Sequence, residues 1–297
     1  MRILLTGKTG QVGYQLERSL QGLGEVIALN STQMNLADLD SVTSVIREIK
    51  PDLIVNPAAY TAVDQAERET DLAHRVNGEA PGVMAEEARR LGAAMIHYST
   101  DYVFDGEKDG AYAEHDVPNP QNVYGKSKLA GEHAVAAAGI PHLILRTSWV
   151  YGMRGRNFLL TVLRLAAERD ELRIVSDQFG APTWSRTIAD TTVHIVSRLQ
   201  SRGVTGAAGA VLQRDAWQEQ TGTFHLTAQG HTTWYGFTKA ILAHPSVQKK
   251  PVVTPIMTEE YPLPAPRPKN SVMSCDKLIR TFCDLPQWDK ALGLCQD

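Results

Sequence analysis

The 297-residue sequence predicts an α/β protein built on a doubly wound parallel sheet, followed by a smaller and less regular lobe. Two observations predict the sheet. Five short apolar runs alternate with amphipathic helical patterns over residues 1–150, and a glycine-rich loop follows the first run directly. Strands and helices that alternate in this way are joined by right-handed crossovers, which place helices on both faces of one parallel sheet.

The composition is that of an ordinary globular protein and excludes several classes of partner. Apolar residues make up 43% of the chain and charged residues 21%, and the net charge is −3. The sequence contains no basic stripe of the kind that binds nucleic acid. No apolar run approaches the roughly 20 residues of a membrane span. The three cysteines lack metal-ligand spacing. We therefore expect a cytoplasmic protein with reduced thiols, no nucleic-acid partner and no membrane partner.

The first apolar run, residues 2–6, ends at a loop in which glycine recurs at every third position. Gly7, Gly10 and Gly13 give the spacing Gly-x-x-Gly-x-x-Gly, and an amphipathic helix follows. Glycines let the backbone turn tightly and approach a pyrophosphate, while the helix N-terminus offers free N–H groups and the positive end of its dipole. Between a strand and a helix, this loop predicts a dinucleotide site in a Rossmann-type sheet.

The second run, residues 25–29, ends without the acid that an NAD-selective site usually places on the adenosine ribose. Asn30 stands there instead, with Asn35 a little further along the chain. A neutral side chain does not repel a 2′-phosphate, but no arginine near this strand end attracts one. The residues leave the cofactor preference open, with a lean toward NADPH.

The third and fourth runs, residues 52–56 and 93–98, deliver small and polar residues to the same edge of the sheet. A cofactor can lie against backbone where small residues follow the third run. Ser99 and Thr100 follow the fourth run. Their hydroxyls either cap a local turn or are presented beside a catalytic helix.

Tyr124 and Lys128 stand four residues apart at the start of a predicted helix, so both side chains project from one face. An ammonium close to a phenol favours the phenolate, and we expect Lys128 to lower the pKa of Tyr124 from its usual value near 10. The alternative is a solvated helix face, because the pair is common. The glycine loop and the polar end of the fourth strand favour a proton donor.

After a fifth run at residues 142–146 the regular alternation of strands and helices stops. We expect residues 1–150 to form a dinucleotide-binding domain and residues 151–297 mainly a substrate-binding lobe, with some segments returning to the first domain. Residues 223–228 predict a strand of that lobe. Residues 203–222 are rich in Gly, Ala and Gln and predict a surface excursion.

Together these motifs resemble the extended short-chain dehydrogenase/reductases, and longer blocks resemble their dTDP-4-dehydrorhamnose reductase family. The blocks are residues 7–13, 97–104, 146–151, 177–183, 232–235 and 267–271. The resemblance implies a reductase that passes hydride from NADPH, with NADH also accepted, to the C4 ketone of dTDP-4-dehydro-L-rhamnose, giving dTDP-L-rhamnose.

The resemblance also implies the roles of individual residues. Catalysis would depend on Tyr124, Lys128 and Thr100. The cofactor would contact Gly7, Gly10, Gln11, Val12, Gly13, Asn30, Asn35, Leu36, Ala59, Tyr60, Thr61 and Tyr98, together with Tyr124 and Lys128. The sugar nucleotide would contact Thr100, Asp101, Trp149 and Arg267, although core packing is an alternative role for the Trp149 ring.

One departure from the family concerns metal. Some members bind Mg²⁺ through glutamates near the C-terminus at a dimer contact, whereas residues 288–297 here contain no glutamate and Arg186 stands in the helix they approach. A hard dication needs oxygen ligands. We therefore expect no metal site, and a monomer or weak dimer that no metal bridges.

Two other functions stay open. A sugar-nucleotide epimerase or dehydratase would share Tyr124 and Lys128, but it would retain its cofactor and turn over without added NADPH. A non-catalytic, nucleotide-binding regulatory subunit would have no use for an intact set of Thr100, Tyr124 and Lys128.

Overall fold

The structure, a computed structural model, describes residues 1–201 and 212–297. Its strands are β1 Arg2–Leu5, β2 Glu25–Ala28, β3 Leu53–Asn56, β4 Ala94–Thr100, β5 His142–Thr147, β6 Val150–Tyr151, β7 Glu171–Val175, β8 Phe179–Gly180, β9 Thr183–Trp184, β10 Gly222–His225, β11 Thr232–Thr233 and β12 Val252–Ile256. Its helices are α1 Gln11–Ser19, α2 Leu39–Ile49, α3 Val63–Ala66, α4 Thr70–His74, α5 Ala80–Leu91, α6 Val123–Ala137, α7 Phe158–Glu168, α8 Ser185–Ser201, α9 Arg214–Glu219, α10 Trp234–Ala243, α11 Asp276–Thr281 and α12 Trp288–Gln296.

The main sheet has six parallel strands in the order β10-β5-β4-β3-β1-β2. The strand β1 lies between β2 and β3, with Leu4 paired to Ile27 on one side and to Ile54 on the other. The connections run outward in opposite directions from this point, so a crevice opens at the carboxyl ends of β1 and β3. The predicted doubly wound, Rossmann-type sheet is confirmed.

Alternation along the strands divides the core into two layers, one on each face of the sheet. Ile3 and Leu5 are fully buried in one cluster with Ile188 of α8, whereas Leu4 is fully buried in a second cluster with Met84 of α5. Successive strand residues point to opposite faces, so a run that is apolar throughout is covered by helices on both sides. The apolar runs of the sequence therefore became the central strands.

The strand predicted at residues 223–228 belongs to the main sheet. Its pairing partner is β5, with Thr223 opposite Ile144 and Phe224 opposite Leu145. The helix α8 also returns to the first half of the chain and packs against α1, where Ser19 Oγ donates to Asp190 Oδ1 at 2.8 Å. The second half thus contributes one strand and one covering helix to the dinucleotide-binding sheet.

The surface excursion predicted at residues 203–222 is wrong for the part that the structure describes. Residues 202–211 lie outside the described residues. Residues 212–222 contain the short helix α9, in which Trp217 is fully buried within the core on the α8 face of the sheet. Burial of a large aromatic side chain outweighs the polar composition of the surrounding segment.

The rest of the second half forms a smaller apolar cluster of its own. Tyr151, Leu159 and Phe237 are fully buried there, between α7, α10 and α12. A parallel pair of strands, β7 and β12, borders the cluster. Across residues 1–201 and 212–297, no helix is both long enough and apolar enough to cross a membrane.

Candidate active site

A cleft of about 610 Å³ lies at the carboxyl ends of β1, β3 and β4, where the strand order reverses. Its walls are formed by Thr6, Gly7, Thr9, Gly10, Gln11, Val12, Gly13, Leu29, Ser31, Met34, Asn35, Leu36, Pro57, Ala58, Ala59, Tyr60, Thr61, Val76, Tyr98, Ser99, Tyr124, Lys128, Thr147, Val150, Gly155 and Arg156. Every residue predicted to contact a cofactor lines this cleft, except Asn30. The volume is in the range of sites for cofactors and small ligands.

The glycine loop forms one end of the cleft and fits a pyrophosphate. A Cβ on Gly13 would lie only 2.1 Å from the carbonyl oxygen of Gly7, so strand and helix approach as closely as glycine allows. The N-cap of α1 is Gly10, which makes no side-chain bond, and the first turn contains no acid. The first N–H groups of a helix have no carbonyl partner within it. They are therefore left to an anion such as the pyrophosphate.

The end of the cleft beyond β2 is neutral, as the sequence predicted. Asn35 and Leu36 line it together with Ser31, which sequence reasoning did not consider. The Asn30 side chain has another role, since its Oδ1 accepts from the backbone N–H groups of Thr32 and Gln33 at 3.1 Å each. A side chain occupied in a local turn is a weak candidate for the ribose contact.

The loop after β3, residues 57–61, is held in place by the buried side chain of Asn77. Asn77 accepts from the backbone N–H of Tyr60 at 2.8 Å and donates to its carbonyl oxygen at 3.0 Å. Asn77 lies in a π-helical turn, Arg75–Glu79, and also donates to Ser127 Oγ of α6 at 3.0 Å. The turn thus ties the loop at residues 57–61 to the helix that carries Tyr124.

Tyr124 lies in the first turn of α6, where the Asn122 side chain caps the helix by accepting from Gly125 N–H at 2.8 Å. Burial raises the pKa of Tyr124 to about 12, a hydrogen bond from Thr100 opposes that rise, and the charge of Asp101 adds to it. The expectation that Lys128 lowers this pKa is therefore wrong for the arrangement seen here. Loss of hydration in a buried site disfavours the phenolate.

The Lys128 side chain is buried beside Tyr124, so both predicted residues face the cleft. Its Nζ donates to the carbonyl oxygen of Tyr98 at 2.6 Å and lies 3.5 Å from Nε2 of His97. Burial lowers the pKa of Lys128 to about 8, and the charge of Glu132 works in the opposite direction. The ammonium form still predominates at neutral pH.

Thr100 and Asp101 are both buried at the end of β4, next to Tyr124. Thr100 Oγ1 donates to Asp101 Oδ1 at 3.0 Å, and the second carboxylate oxygen of Asp101 has no partner within the described residues. Burial raises the pKa of Asp101 to about 6, and the hydrogen bond from Thr100 works in the opposite direction. Neither Thr100 nor Asp101 is among the residues that line the cleft, so their predicted substrate contacts stay predictions.

Trp149 and Arg267 lie outside the set of residues that line the cleft. The Trp149 ring stacks on Trp234, with centroids 3.4 Å apart, and its backbone has a φ of +47°. Arg267 Nη2 donates to Asp64 Oδ2 at 2.8 Å, and its guanidinium lies 6.0 Å from the centroid of the Tyr102 ring. Packing and an ion pair already account for these two side chains, so their predicted substrate contacts stay predictions.

The cleft also contains a cation that sequence reasoning missed. Arg156 lines it from the loop at residues 152–157, which precedes α7 and is exposed at residues 153–156. The sequence gives no signal for this position, because the loop reaches the glycine loop only through the fold. Within the described part of the chain, no group of three His, Cys, Asp or Glu side chains could hold a metal ion.

Comparison with known proteins assigns the site to a family. A family model described as the RmlD substrate binding domain matches residues 1–297. The chain is 47% identical to a dTDP-4-dehydrorhamnose reductase of Burkholderia thailandensis, covering 99% of this chain and 98% of the relative. It is 41% identical to a dTDP-4-dehydrorhamnose reductase of Escherichia coli K12, covering 97% and 94%.

Solved structures give the same relationship. The fold matches the crystal structure of a dTDP-4-dehydrorhamnose reductase of Bacillus anthracis in complex with NADP, with a TM-score of 0.87, 33% identity and coverage of 99% of this chain and 98% of that one. A UDP-glucose 4-epimerase of Thermus thermophilus matches with a TM-score of 0.78 at 19% identity over 99% and 97% of the chains, a likeness of fold alone. The resemblance noted in the sequence is confirmed, and the chain belongs to the RmlD substrate binding domain family.

Proposed function

We propose that this protein reduces the C4 ketone of dTDP-4-dehydro-L-rhamnose to dTDP-L-rhamnose with NADPH, and that it also accepts NADH. Near full-length identity of 47% to a relative of that name supports the reaction. The NADP held by the Bacillus anthracis structure supports the cofactor. The observation that carries the proposal is the pair of Tyr124 and Lys128, which line the same cleft as the glycine loop and lie on one face of α6.

Tyr124 is the proton donor in this proposal. Reduction of a ketone adds hydride to carbon and a proton to oxygen, and bound NADPH supplies the hydride. A phenol whose pKa is raised to about 12 remains protonated at neutral pH, so it holds a proton for the carbonyl oxygen. In this proposal the Thr100 hydroxyl turns its hydrogen, which it donates to Asp101 in the structure, to the same carbonyl oxygen and orients the ketone.

Lys128 has two tasks. Its ammonium holds the nicotinamide ribose, and it stabilises the negative charge that develops on the Tyr124 oxygen as the proton leaves. The short bond from Lys128 to the Tyr98 carbonyl holds the amine at the floor of the cleft. The glycine loop and the N-terminus of α1 bind the pyrophosphate at the other end.

The second half of the chain supplies the sugar-nucleotide site. We assign residues 1–150 mainly to the cofactor and residues 151–297 mainly to the substrate, with β10 and α8 as the segments that return to the sheet. We assign Asp101, whose second carboxylate oxygen has no partner within the described residues, and Trp149 to the sugar nucleotide. A monomer or weak dimer without a bridging metal stays a prediction.

The test is NADPH consumption by the purified protein with a panel of 4-keto sugar nucleotides, with UDP-glucose as an epimerase substrate. We expect NADPH absorbance to fall with dTDP-4-dehydro-L-rhamnose. Conversion of UDP-glucose without NADPH consumption would indicate the epimerase instead. No turnover with any compound, despite NADPH binding, would favour the regulatory subunit.

A further inference from the structure

A chain of buried hydrogen bonds leads from the cofactor loop to Lys128. The backbone N–H of Ala58 donates to Thr6 Oγ1 at 3.3 Å, and Thr6 Oγ1 donates to Asn56 Oδ1 at 2.6 Å. Asn56 Nδ2 then lies 3.1 Å from Nδ1 of His97, and Nε2 of His97 lies 3.5 Å from Nζ of Lys128. His97 was not among the residues that the sequence analysis assigned to the site.

The direction of each bond follows from the orientation of the Asn56 amide, whose Oδ1 lies toward Thr6 and whose Nδ2 lies toward His97. A backbone N–H can only donate, so the Thr6 hydroxyl accepts from Ala58 and has its own hydrogen free for Asn56. The Asn56 carbonyl oxygen accepts that hydrogen, which leaves its NH₂ group facing His97. An amide NH₂ can only donate, so Nδ1 of His97 is an acceptor. A neutral imidazole with an acceptor at Nδ1 carries its hydrogen on Nε2.

His97 is neutral and cannot move away. Its ring is fully buried, and both burial and the charge of Lys128 hold its pKa well below the usual value. A Cβ on Gly131 of α6 would lie 3.3 Å from Nε2 of His97. The imidazole ring therefore packs closely against the backbone of α6 at a position without a side chain. The ring therefore presents a fixed N–H toward the Lys128 nitrogen.

An N–H directed at an ammonium opposes its charge, because two donors face each other. The other groups around the amine act differently. The Tyr98 carbonyl accepts from it at 2.6 Å, and Glu132, one turn further along α6, attracts its charge although Arg146 of β5 is bonded to that carboxylate at 2.6 and 2.9 Å. Tyr124 on the same helix is protonated. Burial is the main cause that lowers the pKa of Lys128, and among the polar groups around the amine the His97 N–H is the one that opposes its charge.

We propose that His97 is a positioning residue which, through the Ala58–Thr6–Asn56 hydrogen-bond chain, holds an Nε2–H against Lys128 and thereby sets the pH at which Lys128 loses its charge. The role rests on the proposed function, since Lys128 is the residue through which it acts. Its consequence is that cofactor binding, already limited at alkaline pH by the burial of Lys128, is lost at a lower pH than it would be without the His97 N–H.

The first test determines which ring nitrogen of His97 carries the hydrogen. Three histidines are buried among the described residues, His97, His142 and His225. His142 and His225 place Nδ1 at 2.9 and 3.0 Å from backbone carbonyl oxygens, so each carries its hydrogen on Nδ1. The ¹⁵N chemical shifts of the ring nitrogens should show one buried histidine with hydrogen on Nε2 and two with hydrogen on Nδ1. Three Nδ1–H rings would overturn the proposal, whether or not any variant folds.

The second test measures the NADPH dissociation constant against pH by fluorescence, which needs no sugar substrate. In wild type the affinity should fall as pH rises through about 8. In His97→Leu and His97→Met, whose side chains place no N–H beside Lys128, the pH at which the affinity falls should move upward by about one unit.

The matched control is His142→Gln, which removes another buried histidine from the neighbouring strand β5. It should lower thermal stability without changing the pH at which NADPH affinity decreases. If NADPH affinity decreases at the wild-type pH in both His97 variants, His97 has only a packing role. Because affinity is the readout, this result is distinct from a failure of the protein to reduce any ketone.

Discussion

Asn157 donates from Nδ2 to the side-chain oxygen of Gln11 at 2.9 Å, which ties the start of α7 to the start of α1. The same Asn157 caps α7 by accepting from Leu160 N–H at 3.1 Å, and it donates to the carbonyl oxygen of Gly152 at 2.8 Å. One side chain therefore shapes the loop at residues 152–157 and holds it over the glycine loop. This is the contact that brings Arg156 to the cofactor cleft.

We predict that Arg156→Ala weakens NADPH and NADH binding about equally, by roughly tenfold or about 1.4 kcal/mol. The reason is that its loop lies against Gln11, next to the expected pyrophosphate, which both cofactors share. The measurement is Kd for each cofactor at one ionic strength, because exposed charges are screened by salt. Arg154→Ala is the control, since Arg154 lies over the Tyr14 ring instead. Loss of NADPH affinity alone would place Arg156 at the 2′-phosphate.

Changing Tyr124 to Phe removes one oxygen and tests the proton donor. We expect kcat to fall by about 10²–10⁴-fold, the usual scale of general-acid catalysis. The Kd for NADPH and the melting temperature should stay close to wild type, because the ring and its edge contact with Tyr102 at 5.6 Å remain. Turnover within a few-fold of wild type would remove Tyr124 from the chemistry.

Lys128→Met should remove the alkaline limb of the pH–rate profile that lies near pH 8. Burial lowers the pKa of Lys128 to about 8, so the wild-type ammonium is lost as pH rises through that value, whereas Tyr124 with a pKa of about 12 stays protonated. The variant should be slow, bind NADPH weakly and have a flat kcat/KM from pH 7 to 9. Lys126→Met, on the exposed side of α6, is the matched control. A limb that persists near pH 8 in Lys128→Met belongs to another group.

Asp101→Asn should gain stability over wild type as pH rises. Burial raises the pKa of Asp101 to about 6, above its unfolded value of 3.8, so the native state binds more protons and wild type loses stability as this carboxyl ionises. A shift of about two units corresponds to about 3 kcal/mol above pH 7. Denaturant unfolding at pH 5 and pH 8 should show the variant's advantage growing by more than about 1 kcal/mol. An equal difference at both pH values would mean that Asp101 is solvated.

Much of the sheet could be predicted because its signals are local. Each of the first five strands is an apolar run ended by a glycine, a proline or a polar residue, and Gly7, Gly10 and Gly13 mark the first turn. Tyr124 and Lys128 are linked by helix periodicity alone, so their shared face follows from spacing. These parts of the site required no knowledge of the tertiary structure.

The rest depends on contacts between distant segments. The strand β10, with the sequence Gly-Thr-Phe-His, is less apolar than the other strands of the sheet, and its place beside β5 is decided by the packing of the second half. Arg156 reaches the cleft only because Asn157 binds Gln11, and His97 resembles any residue of a buried strand until Lys128 is placed next to it. The pKa of Tyr124 was predicted with the wrong sign because burial, which opposes the phenolate, is not visible from spacing.

The most direct measurement of the central claim follows the hydride itself. NADPH carrying deuterium at the transferred position of C4 of its nicotinamide ring would be incubated with the protein and dTDP-4-dehydro-L-rhamnose, and the product would be analysed by NMR. The account predicts dTDP-L-rhamnose with one deuterium at C4 of the sugar and an equal amount of NADP⁺ formed. A product without deuterium at C4, or one formed while NADPH is not consumed, would contradict it.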